Sequence, residues 1–142
     1  MEVSEVRKRV NETIERARRA AAKRRALADE AAAEYERFLE RIAVPLFRQI
    51  GNVLRAERRM FSVSTPAGSV KLTSDRSNED SIELLLDASS FPPQMMIRSK
   101  RARGRRILET EAPLGPGRPI REVTEEELLD AVLKELEPLV ER

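Results

Sequence analysis

Apolar residues in the first 58 positions recur at alternating steps of three and four, which is the spacing of one face of an α-helix. A stripe of this kind is typical of a coiled-coil seam, which becomes stable only when a partner surface covers it. The first part of the stripe has small side chains, namely Val3, Val6, Val10, Thr13, Ala17 and Ala20. After a gap it resumes with larger ones, and these form the candidate interaction seam: Tyr35, Leu39, Ile42, Leu46 and Val53.

Pro45 is the one strong helix breaker within this region. Proline removes a helical hydrogen bond and crowds the preceding turn, at a cost of about 3 kcal/mol in a helix interior. It is well suited to the first turn of a new helix. We therefore expect a kink or break at residues 43–45 and a second helix from about Pro45 to Arg58.

Beyond residue 60 the apolar period changes from 3.6 to 2, which predicts β-strands. Short polar or Pro/Gly turns separate the alternating segments, so we expect an antiparallel meander of four or five strands. The predicted strands cover residues 61–65, 70–72, 82–86, 95–101 and 105–111.

The last two strands are predicted to form a hairpin around Arg103-Gly104. A two-residue loop at that position would place Arg98 opposite Glu109. It would also place Ile97, Leu108 and Thr110 on one face of the sheet, so the charges and the apolar side chains favour the same pairing.

A final amphipathic helix is predicted after Thr124, which can cap the helix while Glu127 reaches back as in a capping box. We expect it to cover one face of the sheet and to end early at Pro138. The predicted fold class is therefore α+β. Residues 1–58 would form a helical stalk, and residues 59–142 a small α+β head.

Charge is abundant, at 37% of residues, but the net charge is only +2 because 27 basic residues nearly balance 25 acidic ones. The two signs lie in separate blocks. Residues 7–25 carry nine basic side chains against two acids, and residues 98–106 carry six basic side chains and no acid. Residues 125–142 carry seven acids against two bases. Blocks of this kind indicate pairing within or between chains, or a basic surface for an anionic partner.

The basic hairpin and the basic helix face are candidate contacts for nucleic acid or another polyanion. No aromatic residue is interleaved with these cations, so stacking on bases is not indicated. The alternatives are a solvated coiled-coil face and cations that pair with Glu109, Glu111 or the acidic final helix. The candidate contact residues are Arg98, Lys100, Arg101, Arg103, Arg105, Arg106, Arg9, Arg16 and Lys23.

The sequence lacks several of the residue types on which catalytic sites most often depend. The chain contains no cysteine and no histidine, so it lacks thiolate nucleophiles, the commonest general base and the commonest metal ligand. Its five glycines are too dispersed for a phosphate-binding loop. We expect no enzymatic activity, no cofactor and no metal site.

The N-terminal residues lack the apolar core of a signal peptide, and no apolar run is long enough to span a membrane. We therefore expect a cytoplasmic protein without membrane contact. The sequence predicts a non-enzymatic interaction or assembly module that forms a homo-oligomer or binds a helical protein partner. The alternative is a nucleic-acid-binding protein that uses residues 98–106 and 7–25.

Overall fold

The computed structural model describes residues 1–141 and has the α+β architecture that the sequence predicts. A long helical run comes first, a five-stranded sheet follows, and a C-terminal helix closes the chain. The helices are α1 (Val3–Phe38), α2 (Val44–Ala56) and α3 (Glu125–Val140), with a π-helical turn at Leu39–Ala43 and a 3₁₀ turn at Ile120–Glu122. The strands are β1 (Phe61–Ser64), β2 (Val70–Ser74), β3 (Ser81–Asp87), β4 (Gln94–Arg103) and β5 (Arg106–Pro113).

The sheet is an antiparallel meander in which the strands pair in chain order, from β1 to β5. Alternate residues of the central strands face the core, because successive side chains of a strand point to opposite faces. The side chains buried on this inner face include Phe61, Val70, Leu72, Ile82, Leu84, Met95 and Ile97. The prediction of a meander with one buried face is confirmed.

Helices α2 and α3 contact the sheet, α2 at β1 and β2 and α3 at β3 and β4. The core is one cluster that combines residues from the helical run, from the sheet and from α3. Gly51 allows α2 to approach closely, since a Cβ at this position would lie 3.1 Å from the Cγ2 of Val63. The predicted boundary at residue 58 therefore separates two parts of the chain that share this core.

The helical run does not break at Pro45. All backbone angles flanking the π turn are helical, and α2 begins at Val44 with Pro45 in its first turn. The N–H of Val44 donates to the carbonyl of Leu39, five residues back, which is the π pattern. Proline lacks an N–H and crowds the carbonyl four residues earlier, and the wider π turn just before Pro45 accommodates both effects.

The hairpin register differs from the predicted one by two residues. Arg103 pairs with Arg106, so the loop is Gly104-Arg105, and Arg98 lies opposite Glu111 instead of Glu109. Gly104 has φ +61° at the first loop position, where a type II′ turn requires a positive φ. A shift of two residues keeps every side chain on its face, so the prediction that Leu108 and Thr110 share a face with Ile97 is confirmed.

Helix α3 begins as predicted but ends later. The Thr124 hydroxyl accepts a hydrogen bond from the Glu127 N–H at 3.2 Å, which confirms the cap. The Glu127 carboxylate also binds the guanidinium of Arg118, which is the main cause that lowers the pKa of Glu127, and a side-chain hydrogen bond with Thr124 makes a smaller contribution. The prediction that Pro138 ends the helix is wrong, because α3 continues through it to Val140. Only one hydrogen bond to the last turn is lost there, which costs less than a break in the helix interior.

Candidate protein interaction surfaces

The N-terminal two thirds of α1, residues 3–26, extend away from the core, and every side chain in this segment is exposed. We call residues 3–26 the free stalk. Its apolar residues are exposed with the rest: Val10 has 50% of its surface accessible and Ile14 has 44%. About 36 Å of amphipathic helix therefore has its apolar stripe in water.

The predicted interaction seam is divided between the core and the surface. Tyr35 and Leu46 are buried in the core of their own chain, and Leu39 and Ile42 are half-buried against that core. Val53 alone is exposed, with 62% of its surface accessible. The part of the stripe with the larger side chains therefore packs mainly on the head of the same chain. Val53 lies at the edge of a groove described below.

Polar contacts fix the base of the stalk to the head. The Tyr35 hydroxyl donates to the carbonyl of Gly68 at 2.6 Å. Burial, with a smaller contribution from the negative charge of Glu83, raises the pKa of the Tyr35 hydroxyl well above its usual value. Arg121, in the 3₁₀ turn, donates to the carboxylate of Glu34 at 2.7 Å. These contacts set the direction in which the free stalk projects.

The stripe of the free stalk lies on the side of α1 that packs on the head. Eighteen residues complete five turns of a regular α-helix, so residues eighteen apart lie in line along its axis. The aligned pairs are Val10 with Ala28, Thr13 with Ala31, Ala17 with Tyr35, and Ala20 with Phe38. The second member of each pair is buried or half-buried, whereas the first is exposed.

Basic residues line both edges of the exposed stripe. Helical geometry places Arg9, Arg16 and Lys23 along one edge, and Arg7, Arg18 and Arg25 along the other. Two ion pairs neutralise part of this charge, Arg9 with Glu5 at 3.2 Å and Arg18 with Glu15 at 3.5 Å. Both pairs are exposed, and such pairs contribute little to stability. The free stalk is therefore an apolar stripe between two basic rows.

The basic hairpin divides into a paired base and an unpaired tip. Arg98 contacts three carboxylates, those of Glu111 at 2.8 Å, Glu109 at 3.3 Å and Glu83 at 3.8 Å. The hydrogen bond to Glu111 is the main cause that raises the pKa of Arg98. The other cations of the hairpin form no ion pair within residues 1–141: Lys100, Arg101, Arg103, Arg105 and Arg106.

An apolar groove runs between α2 and α3, with a volume of about 290 Å³. Its two most exposed apolar side chains are Val53 of α2 and Leu133 of α3, the latter with 46% of its surface accessible. The groove is lined by Leu46, Gln49, Ile50, Val53, Leu54, Leu129, Leu133 and Leu136. Sequence reasoning missed this groove, although apolar positions that spread beyond one core-facing row of each helix were a signal for it.

Acidic residues follow the α3 side of this groove. Helical geometry places Glu126, Asp130 and Glu137 next to the row formed by Leu129 and Leu133, and all three acids are exposed. The α2 side carries uncharged Gln49 and Asn52. The groove is therefore apolar with an acidic rim, the opposite in charge to the free stalk.

The part of the chain that the structure describes contains no group of three or more acidic side chains arranged to hold a metal ion. None of its helices combines the length and the apolar composition that a membrane crossing requires. No protein family model, curated protein or solved structure matches this chain.

Proposed function

We propose that this protein is a non-enzymatic interaction module that binds another protein through its free stalk. The observation that carries the proposal is the row of valine and isoleucine side chains on residues 3–14, all exposed, on a helix that the head anchors at its other end. A long exposed apolar row flanked by polar residues is typical of a surface that a partner covers. The stalk therefore acts as a docking element and the head as its support.

The two basic rows define the chemistry of the partner. An amphipathic helix that binds in a groove uses apolar side chains at i, i+3, i+4 and i+7 as anchors, and flanking charges select the partner. The stalk should prefer an apolar groove or a helix edged with Asp and Glu. Arg24 lies on the stripe itself and would need a carboxylate or a solvent-exposed position in the complex.

A photo-reactive amino acid at Val10 tests the proposal directly in the cells that make this protein. Val10 lies on the stripe, whereas Lys8 lies on the opposite side of the same helix turn, so the same label at Lys8 is a matched control. We expect a discrete protein adduct from Val10 and at least about tenfold less from Lys8. Equal labelling from both positions would refute stalk docking.

A second candidate function is binding of nucleic acid by the hairpin tip, which the five unpaired cations favour. Clustered cations that form no ion pair within residues 1–141 can bind phosphates and release counterions. Binding of labelled duplex DNA and RNA across a salt series tests this candidate. We expect the triple variant Arg103→Glu, Arg105→Glu and Arg106→Glu to lower the salt slope by about three. An unchanged slope would exclude the tip as the contact.

A further inference from the structure

The free stalk and the groove between α2 and α3 complement each other in shape and charge. The stalk presents an apolar stripe between basic rows, and the groove presents an apolar floor beside an acidic rim. The valine and isoleucine residues of the stripe, from Val3 to Ile14, cover about 17 Å of helix. The groove floor from Leu46 to Leu54 covers about 12 Å. The valine and isoleucine anchors are therefore long enough to fill it.

The stalk cannot reach the groove of its own chain. Residues 3–56 form one helical run with helical backbone angles on both sides of the π turn. Val10 and Val53 are therefore about 65 Å apart along this run. No loop reverses the chain between them, so only another molecule can bring a stalk into the groove.

Resting on the proposed function, we propose that the partner of the stalk is a second copy of this chain, docked in the groove between α2 and α3. The long helices of the two copies lie antiparallel, because parallel helices would place stalk against stalk. Each copy then supplies one stalk and one groove, and the two identical contacts form a closed two-fold dimer.

Charge favours this antiparallel pairing over a parallel one. In a parallel dimer the rows of Arg9, Arg16 and Lys23 would face the second stalk, which is also basic, and Arg24 would oppose Arg24. In the antiparallel dimer a basic row faces the acidic rim of α3. Like charges are thereby separated and opposite charges adjoin.

The expected contact is small. The groove floor covers about 12 Å of a helix about 10 Å wide, so one third of that surface is about 130 Å². Two stalks and two grooves would bury about 500 Å² in total, which is below the range of stable interfaces. We therefore expect a reversible dimer whose population depends on protein concentration and falls as salt is added.

Cysteine cross-linking tests the arrangement cleanly, because the natural chain has no cysteine. A tagged full-length chain with Val53→Cys is mixed with an untagged one carrying Val10→Cys. Both positions are at least half-exposed, so the fold tolerates the changes. We expect the disulfide between the two chains to form about tenfold faster than with Lys8→Cys in place of Val10→Cys.

A groove variant provides the second measurement. Leu133→Asp introduces a charge on the α3 wall of the groove at a position that is exposed in the single chain, so it should spare the fold. In the Val53→Cys chain it should slow cross-linking to Val10→Cys about tenfold. Ile107→Asp is the matched control, since Ile107 is also about half-exposed but lies near the hairpin tip, and it should have no effect.

Two results would overturn the inference. Faster linkage of Val10→Cys to Val10→Cys than to Val53→Cys would mean parallel stalks. Sedimentation of the natural chain as a monomer at all concentrations would mean that the second copy is not the partner. In that case a discrete adduct of a different protein from the photo-reactive Val10 would leave the proposed function standing, and the absence of any adduct would remove both.

Discussion

Replacing Phe47 by alanine tests whether the C-terminal part of the helical run belongs to the core of the head. Phe47 is fully buried on α2, one helical turn before Gly51, where the helix comes close to the sheet. Truncation of a buried phenylalanine removes its transfer free energy and leaves a cavity, with a typical cost of about 3–5 kcal/mol. The close contact at Gly51 limits collapse of α2 onto that cavity, so we expect a cost within this range.

Equilibrium urea unfolding measures this loss. With a slope of about 2 kcal/mol per M, Phe47→Ala should lower the unfolding midpoint by about 2 M urea. Asn52→Ala, at an exposed position of the same helix, is the control and should change the unfolding free energy by no more than about 0.5 kcal/mol. A loss below about 1 kcal/mol for Phe47→Ala would refute the assignment of α2 to the core.

Two further predictions concern the contacts that hold the head together. Because the folded-state pKa of the Tyr35 hydroxyl lies above the unfolded value of 10.0, its contribution to stability is complete below pH 10 and is lost as the pH rises, by up to about 1.4 kcal/mol per pH unit. Tyr35→Phe should therefore lower the free energy of unfolding by about 1–2 kcal/mol at neutral pH, since the Gly68 carbonyl loses its partner. Thermal unfolding at several pH values should show that this variant loses less stability above pH 10 than the natural chain does. An equal loss of stability above pH 10 in the two proteins would contradict the assignment. Gly117→Ala should cost only the backbone strain of a positive φ (+77°), about 1–3 kcal/mol, because a Cβ there would meet open space. Gly115→Ala should cost more in the same urea assay, because φ is +63° and a Cβ would also lie 2.5 Å from the Cγ2 of Val123. Equal losses for the two variants would contradict the steric argument.

The fold could be predicted from local patterns because each element carries its own signal. The alternation along Ile82, Leu84 and Leu86 indicates a strand, and Thr124 indicates where the last helix begins. The predicted hairpin register differs from the observed one by two residues. The alternation of side chains along a strand is compatible with any register shift of an even number of residues. The conformation of Gly104 decides between the registers, and a sequence does not show which loop position needs a positive φ.

The candidate surfaces were less predictable because an amphipathic stripe shows that a face is buried without showing what covers it. The sequence therefore predicts that Tyr35 and Leu46 belong to an interaction seam, although both side chains are buried in the core of the same chain. No single local sequence pattern predicts the groove between α2 and α3. Its walls, around Val53 and Leu133, come from segments about 80 residues apart that the sheet brings together.

Side-chain size explains why one continuous stripe is divided between core and surface. Tyr35 and Phe38 bury large apolar areas, and full burial of a large apolar side chain contributes about 1.5–3 kcal/mol. This gain fixes the base of the stalk to the head. Ala17 and Ala20 have little apolar area to bury, so the free stalk gains too little free energy to pack on its own head. Its valine and isoleucine side chains therefore supply most of the area of any contact. Association through this stripe should therefore be weaker than folding of the head, which allows the head to stay folded while the contact forms and dissociates.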